Sequence, residues 1–242
     1  MSIESMTAFP IARGFERKAE ALLMEANARG DAVYGMRPWY CSASSIEKGA
    51  EVAFIGANPG GGAESEATDR QLGVLNWPYD YDDYCAWLDD RHWKGSGPSH
   101  QKRAWKAFEI LFGQRWREVL RSAACFEIVP LRSIGVGALS DETWRRGAAL
   151  AMEVLAHVRP RVIVCNGNGE GKSVWGVLRG SNLGIEKEKK VEVYGTFRLK
   201  VGRIAHGEIA GAEVIGLPHL ARMNSLPPLK AAANELGFPR SL

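Results

Sequence analysis

Glu51 to Ala57, EVAFIGA, is a near-continuous apolar run of strand length. A strand with one wet face alternates apolar and polar residues, so an unbroken run marks a strand covered on both faces, as in a parallel sheet. The pattern recurs at Cys125–Pro130 (CFEIVP), Arg161–Asn166 (RVIVCN) and Ala212–Leu217 (AEVIGL). Helical spacing fills much of the chain before and between these runs, at 13–29, Ser99–Phe112, Ser140–His157 and Glu170–Leu178. Ser140 is placed to cap its helix, with Asp141 and Glu142 favourable in the first turn. Such alternation predicts an α/β protein, a three-layer α/β/α sandwich around a mostly parallel central sheet. Lys189–Arg203 alternates across Gly195, which predicts an antiparallel hairpin before the last strand. Pro227 and Pro228 open a closing helix that Gly237 ends. With no repeat, low-complexity tract or linker, 1–242 reads as a single domain with an N-terminal helical extension at about 1–48.

Apolar residues make up 45% of the chain and charged residues 24%, which excludes neither a full core nor solubility but does exclude a disordered chain. No apolar run approaches the roughly 20 residues of a membrane span, and the N-terminus lacks the apolar stretch of a secretory signal. The expectation is a cytoplasmic monomer with no membrane partner. Cys41, Cys85, Cys125 and Cys165 are scattered without a CxxC pair, so no metal site or cofactor is expected from them. A net charge of +3 is compatible with a polyanionic partner without requiring one.

NGNGEGKS, Asn166–Ser173, looks like a phosphate-binding loop, which needs Gly, four residues and then Gly-Lys-Ser. Three residues separate Gly167 from Gly171, so the motif is one residue short. Ligands of open α/β sheets sit at the carboxyl ends of the strands. That rule selects Asn58–Gly62, Leu131–Gly137, Asn166–Gly171 and Pro218–Ser225.

GANPGGG after the first strand run and GLPHLARMN at the last resemble the two signature segments of the uracil-DNA glycosylase superfamily. In its single-strand-selective monofunctional and mismatch-specific branches the first segment reads Gly-x-Asn-Pro-Gly, matched by Gly56, Asn58, Pro59 and Gly60. The second is usually His-Pro-Ser followed by a wedge loop; here His219 and Asn224 match, while Leu220 and Ala221 replace Pro and Ser. RQLGVLNW resembles the substrate loop of the single-strand-selective branch, and AFEILFG, FEIVPLRS and RPRVIVCNGNG follow in the family's order, from about residue 50 to the C-terminus.

The resemblance implies a monofunctional DNA N-glycosylase, a hydrolase of DNA repair that cleaves the glycosidic bond of a flipped, deaminated or damaged base, with DNA as its partner. Such a reaction builds negative charge on the leaving base and positive charge on the sugar. By resemblance, His219 donates to the base oxygen and Asn58 orients the water. Gly56, Ala57, Glu127 and Asn166 would then border the base. Asn76 stands at the place of the stacking aromatic, with Trp77 and Tyr79 beside it. Gly60 and Gly61 remove side chains where the nucleotide backbone approaches. Arg132, Ser133 and Lys172 would contact phosphates, and Arg222 or Met223, followed by Asn224, would plug the hole in the duplex. Lys172 has the plainer reading of a solvated first-turn residue, because cations are unfavourable at a helix N-terminus.

Glu127 takes the position of the family's base-reading Asn. An amide donates and accepts; an ionised carboxylate only accepts. Glu127 would suit a base presenting adjacent donors, or be protonated by burial, or point elsewhere. Asp80, Asp82 and Asp83 in NWPYDYDDY would repel DNA if they faced it. Two other readings therefore stand: a nucleotide- or nucleoside-processing enzyme on the same sheet, with Glu127 or Asp69 as acid or base, and a nucleic-acid-binding module without chemistry.

Overall fold

The computed structural model describes residues 9–64, 100–223 and 226–239. Its strands are β1 (Val52–Gly56), β2 (Ala124–Glu127), β3 (Val162–Asn166), β4 (Ile185–Tyr194), β5 (Phe197–Ile204) and β6 (Glu213–Leu217). Its helices are α1 (Pro10–Ala28), α2 (Ala43–Glu47), α3 (His100–Phe112), α4 (Trp116–Ser122), α5 (Asp141–Val158), α6 (Val174–Gly180) and α7 (Pro227–Glu235). The six strands form one sheet in the order β2-β1-β3-β6-β5-β4. The first four run parallel, and β5 and β4 continue antiparallel. The fold is thus α/β with a mostly parallel sheet, as the unbroken apolar runs predict; every residue of β1 and β3 is buried.

The strand order explains where the helices lie. From β1 the chain crosses to β2 on one side, then steps back over β1 to β3 on the other. Right-handed crossovers in opposite directions leave their helices on opposite faces of a sheet. Accordingly α3 packs with α4 and α7, while α1, α2 and α5 pack together. Phe108 of α3 meets Phe54 of β1 edge to face, ring centres 5.2 Å apart.

The N-terminal segment is less an extension than part of the core. Ala12, Leu22 and Ala26 of α1 are buried in the same cluster as Ile55 and Val164 of the sheet. The Glu47 carboxylate accepts from the backbone N–H groups of Ile11 (2.9 Å) and Ala12 (3.0 Å), an anion at a helix N-terminus. Beyond α1, Met36 and Trp39 make antiparallel bridges to Leu131 and Phe126, so residues 36–39 line the outer edge of β2.

Two boundaries follow local chemistry. Ser140 caps α5 as expected, its Oγ accepting from the Thr143 N–H at 3.2 Å. The helix expected from Glu170 begins instead at Val174: Gly171 has φ +73°, which ends any helical path there, and Ser173 caps α6 by accepting from the Gly176 N–H at 3.0 Å. The hairpin forms about Gly195 at φ +54°, and its outer strand β4 carries alternating Lys and Glu that keep the sheet edge solvated.

Gly147 sits within α5 where a Cβ would lie 2.7 Å from Val129 Cγ2 and 3.0 Å from Val129 Cα. Helix propensity alone favours Ala there by up to about 1 kcal/mol, but overpacking against a fixed backbone costs about 1–3 kcal/mol. Gly147→Ala is therefore expected to lower the urea midpoint. A raised midpoint would show that α5 does not press on the chain leaving β2.

Candidate functional site

At the carboxyl ends of the parallel strands lies a cavity of about 830 Å³ whose walls include Gly56, Asn58, Glu127, Asn166, Lys172 and His219. It opens where the chain leaves β1 and its neighbours β2 and β3 in opposite directions, the usual ligand crevice of an open α/β sheet. The loop after β1 and the loop after β6 therefore meet, and Asn58 and His219 face one space.

Asn58 is held by its amide nitrogen. Nδ2 donates to Ser133 Oγ at 2.9 Å and to Pro59 O at 3.1 Å. Ser133 Oγ donates its own hydrogen to Gly135 O at 2.9 Å, so toward Asn58 it must accept. That chain fixes the amide's orientation and leaves Oδ1 as its acceptor group. The support is rigid: Ser133 N–H donates to Pro59 O at 3.1 Å, Arg132 N–H to Gly35 O at 2.9 Å, and the Arg132 guanidinium to Gly60 O.

These bonds correct three expected phosphate contacts. Ser133 is 0% exposed and Arg132 5%, so neither faces a backbone phosphate; they clamp the loop after β2 to the loop after β1. Lys172 borders the cavity, but its ammonium donates to Leu139 O at 2.8 Å and pairs with Asp141 Oδ1 at 2.8 Å. It ties the loop after β3 to the start of α5.

Glu127 lies on the cavity floor. It pairs in register with Gly56, and its carboxyl lies so close over that residue that a Cβ at Gly56 would fall 2.0 Å from Oε2. Burial pushes the carboxyl's pKa up to about 8, against the opposing pull of a Tyr40 side-chain hydrogen bond and the nearby Arg37 guanidinium. Arg37 is buried and Tyr40 half-buried, and both reach the cavity from the 36–39 edge segment. Neither residue stands in a motif or a periodic run; only the pairing of their segment along β2 brings them to Glu127.

Asn166 borders the cavity, but its Oδ1 accepts from the Leu220 N–H at 3.0 Å and the residue is 6% exposed. Its role is therefore corrected from base contact to anchor of the turn that follows His219. Arg103 of α3 holds the same turn, donating to Leu220 O at 3.2 Å and Ala221 O at 2.9 Å. Half-buried His219 has its pKa lowered by burial first and by Arg222 second, so its imidazole is neutral at pH 7 and offers one N–H. Arg222 is exposed at the cavity wall; Met223 is 1% exposed and packs into the core, which corrects its reading as a wedge.

Ala57 and Gly60 border the cavity, and Gly61 adjoins them at φ +102°. Asn76, Trp77 and Asn224 lie outside the described residues. Among the described residues no helix is long and apolar enough to cross a membrane.

No family model matches the chain, and no curated protein matches it. One similar solved structure is a domain of unknown function (DUF1537) from Bordetella bronchiseptica, crystallised as a domain-swapped dimer with bound citrate. The two share 16% identity at a TM-score of 0.32, over 82% of this chain and 44% of that one. Likeness at that level says nothing of activity.

The buried carboxyl makes a test of the floor independent of substrate. A group neutral in the fold and ionised in the unfolded chain contributes stability that is complete below the ordinary carboxylate range and is lost as pH rises to about 8. The wild type is expected to lose up to about 4 kcal/mol between about pH 5 and pH 9, and Glu127→Gln, which cannot ionise, to lose less. Urea unfolding across that range measures both; parallel profiles would place the carboxyl in water.

Proposed function

We propose that the protein is a DNA glycosylase-like hydrolase of the uracil-DNA glycosylase type, acting on a deaminated or otherwise altered base turned out of the strand into the cavity. The observation that carries this reading is the convergence of Asn58 and His219 on one cavity with Glu127 beneath them. At about 830 Å³ the space lies within the range of small-ligand sites and admits a nucleobase with its sugar.

In this reading Asn58 Oδ1 accepts from the attacking water, oriented by the Ser133 hydroxyl that holds the other end of the amide. His219, neutral, donates its N–H to the oxygen on which the departing base gathers charge. A neutral donor suits a leaving group that departs as an anion, because it stabilises the charge without a proton transfer. Glu127 reads the edge of the base. Protonated, its carboxyl supplies one O–H donor beside one carbonyl acceptor, the same complement as an amide. That matches a lactam edge, an N–H next to a C=O, as in uracil and hypoxanthine.

One observation favours a second reading, a nucleoside-processing enzyme. Arg132 and Lys172, two of the cations that border the cavity, are bonded to other loops, and a third, Arg37, lies beside the Glu127 carboxyl, so these three are not displayed to a polyanion. The two readings separate by salt: release of base from DNA should weaken steeply as ionic strength rises, whereas turnover of a free nucleoside should not.

Oligonucleotides carrying uracil, hypoxanthine, xanthine or mismatched thymine, single- and double-stranded, are expected to yield alkali-labile abasic sites. Asn58→Ala and His219→Ala are each expected to slow release by about 10²–10³-fold with unfolding transitions near those of the wild type. Absence of strand scission after alkali across the whole panel would refute the glycosylase reading.

A further inference from the structure

Ile134 is 74% exposed, more than Met24, Ile11 or Tyr34, the other large exposed apolar side chains among the described residues. It stands on the wall of the cavity, between Ser133 and Gly135. An exposed isoleucine at the end of a mobile loop would mean little, but this one has a fixed base. Ser133 before it is fully buried and bonded to Asn58. Gly135 O after it accepts from Ser133 Oγ at 2.9 Å and from the Ala138 N–H at 3.0 Å, and the turn's far end, Leu139 O, accepts from Lys172. The isoleucine is thus held at a constant offset from the Asn58 amide.

Its surroundings are bare in a way the fold does not require. Gly135 and Gly137 follow it, Gly60 lies on the loop after β1, and Gly169 on the loop after β3. A Cβ at any of the four would meet no described atom within 4 Å, and none of them has the positive φ that demands glycine. Neither crowding nor backbone strain accounts for these glycines. Among the described residues they leave three loops around one cavity with unclothed backbone, and Ile134 is the most exposed large apolar side chain on its wall. That relief suits a surface that comes close to the protein backbone on several sides and has an apolar slot for one branched side chain. A base stack with one nucleotide turned out is such a surface, and apolar side chains are what proteins insert between base steps.

We propose that Ile134 is the side chain that enters a DNA base stack beside the target nucleotide as that nucleotide turns into the cavity. The inference rests on the base-excision reading of the cavity and adds a plug from the loop after β2. A duplex must be opened and the gap filled, whereas a single strand needs no filling, so the side chain should matter chiefly for duplex substrates.

The test compares wild type, Ile134→Ala and Ile134→Leu on one target base in duplex and in single-stranded oligonucleotides, with 2-aminopurine beside the target to report unstacking. Ile134→Ala is expected to lose at least about tenfold more excision on duplex than on single strand and to lose the 2-aminopurine signal, with Ile134→Leu restoring both. An equal loss on the two substrates would make Ile134 part of the base pocket and overturn the inference. So would no loss on either. If the wild type neither excises nor binds any of these oligonucleotides, the base-excision reading itself fails and takes this inference with it.

Discussion

The contact between the Glu127 carboxyl and the bare Cα of Gly56 sets the terms for the rest of the site. Parallel pairing of β1 with β2 puts the two residues side by side, and the missing side chain at Gly56 is filled by the neighbour's carboxyl. Any larger residue at 56 would drive that group off the floor. The contact also buries it. Residues 36–39, running along β2, bring Arg37 and Tyr40 against it, so the outermost edge of the sheet becomes the inner wall of a cavity. From this floor the chain of β1 continues two residues to Asn58, so that an amide and a buried acid border one cavity.

The electrostatic outcome concerns the two titratable groups proposed to meet the ligand. Glu127 is shifted up and His219 down, each principally by burial, and both shifts favour the uncharged form at pH 7. Of the cations that border the cavity, Arg132 is held on Gly60 O and Lys172 on Leu139 O and Asp141, while Arg37 lies beside Glu127 and Arg222 is exposed at the wall. This also settles what the phosphate-loop-like GNGEGKS does in the fold. Its lysine points to the start of α5 and its serine caps α6, so the segment braces two loops.

Strands with two buried faces write themselves into a sequence as unbroken apolar runs, and for that reason all four parallel strands were legible within a few residues. The Ser140 cap and the hairpin about Gly195 were legible too, because each depends on a residue type with a local conformational preference. The edge segment 36–39 was not, since it pairs through isolated bridges with a strand nearly 90 residues away and has no period of its own. At the site, the rule that ligands gather at strand ends selected the loops that carry Asn58 and His219, and the family resemblance singled out those two residues, which border one cavity. Neither could find which way a loop residue faces. Arg132, Ser133, Asn166 and Met223 are of the residue types that contact DNA, yet each is turned inward, and that direction depends on partners from other loops. Ile134 carried no signal at all, because an apolar residue in a loop is ordinarily a buried one.

The replacement of Pro and Ser by Leu220 and Ala221 after His219 looks, in sequence, like the loss of a catalytic motif. Structurally the turn is held without them. Leu220 is fully buried, its N–H is bound by Asn166 from β3, its carbonyl and that of Ala221 are bound by Arg103 from α3, and Arg222 O accepts from the Tyr194 hydroxyl of β4 at 3.2 Å. Three separate elements thus fix the backbone on the carboxyl side of His219. What a hydrogen-bond donor contributes to a reaction depends on its being held in place before charge develops, and not on which residues hold it. Divergence at 220 and 221 therefore changes the means of support and leaves the backbone after His219 bonded from three elements.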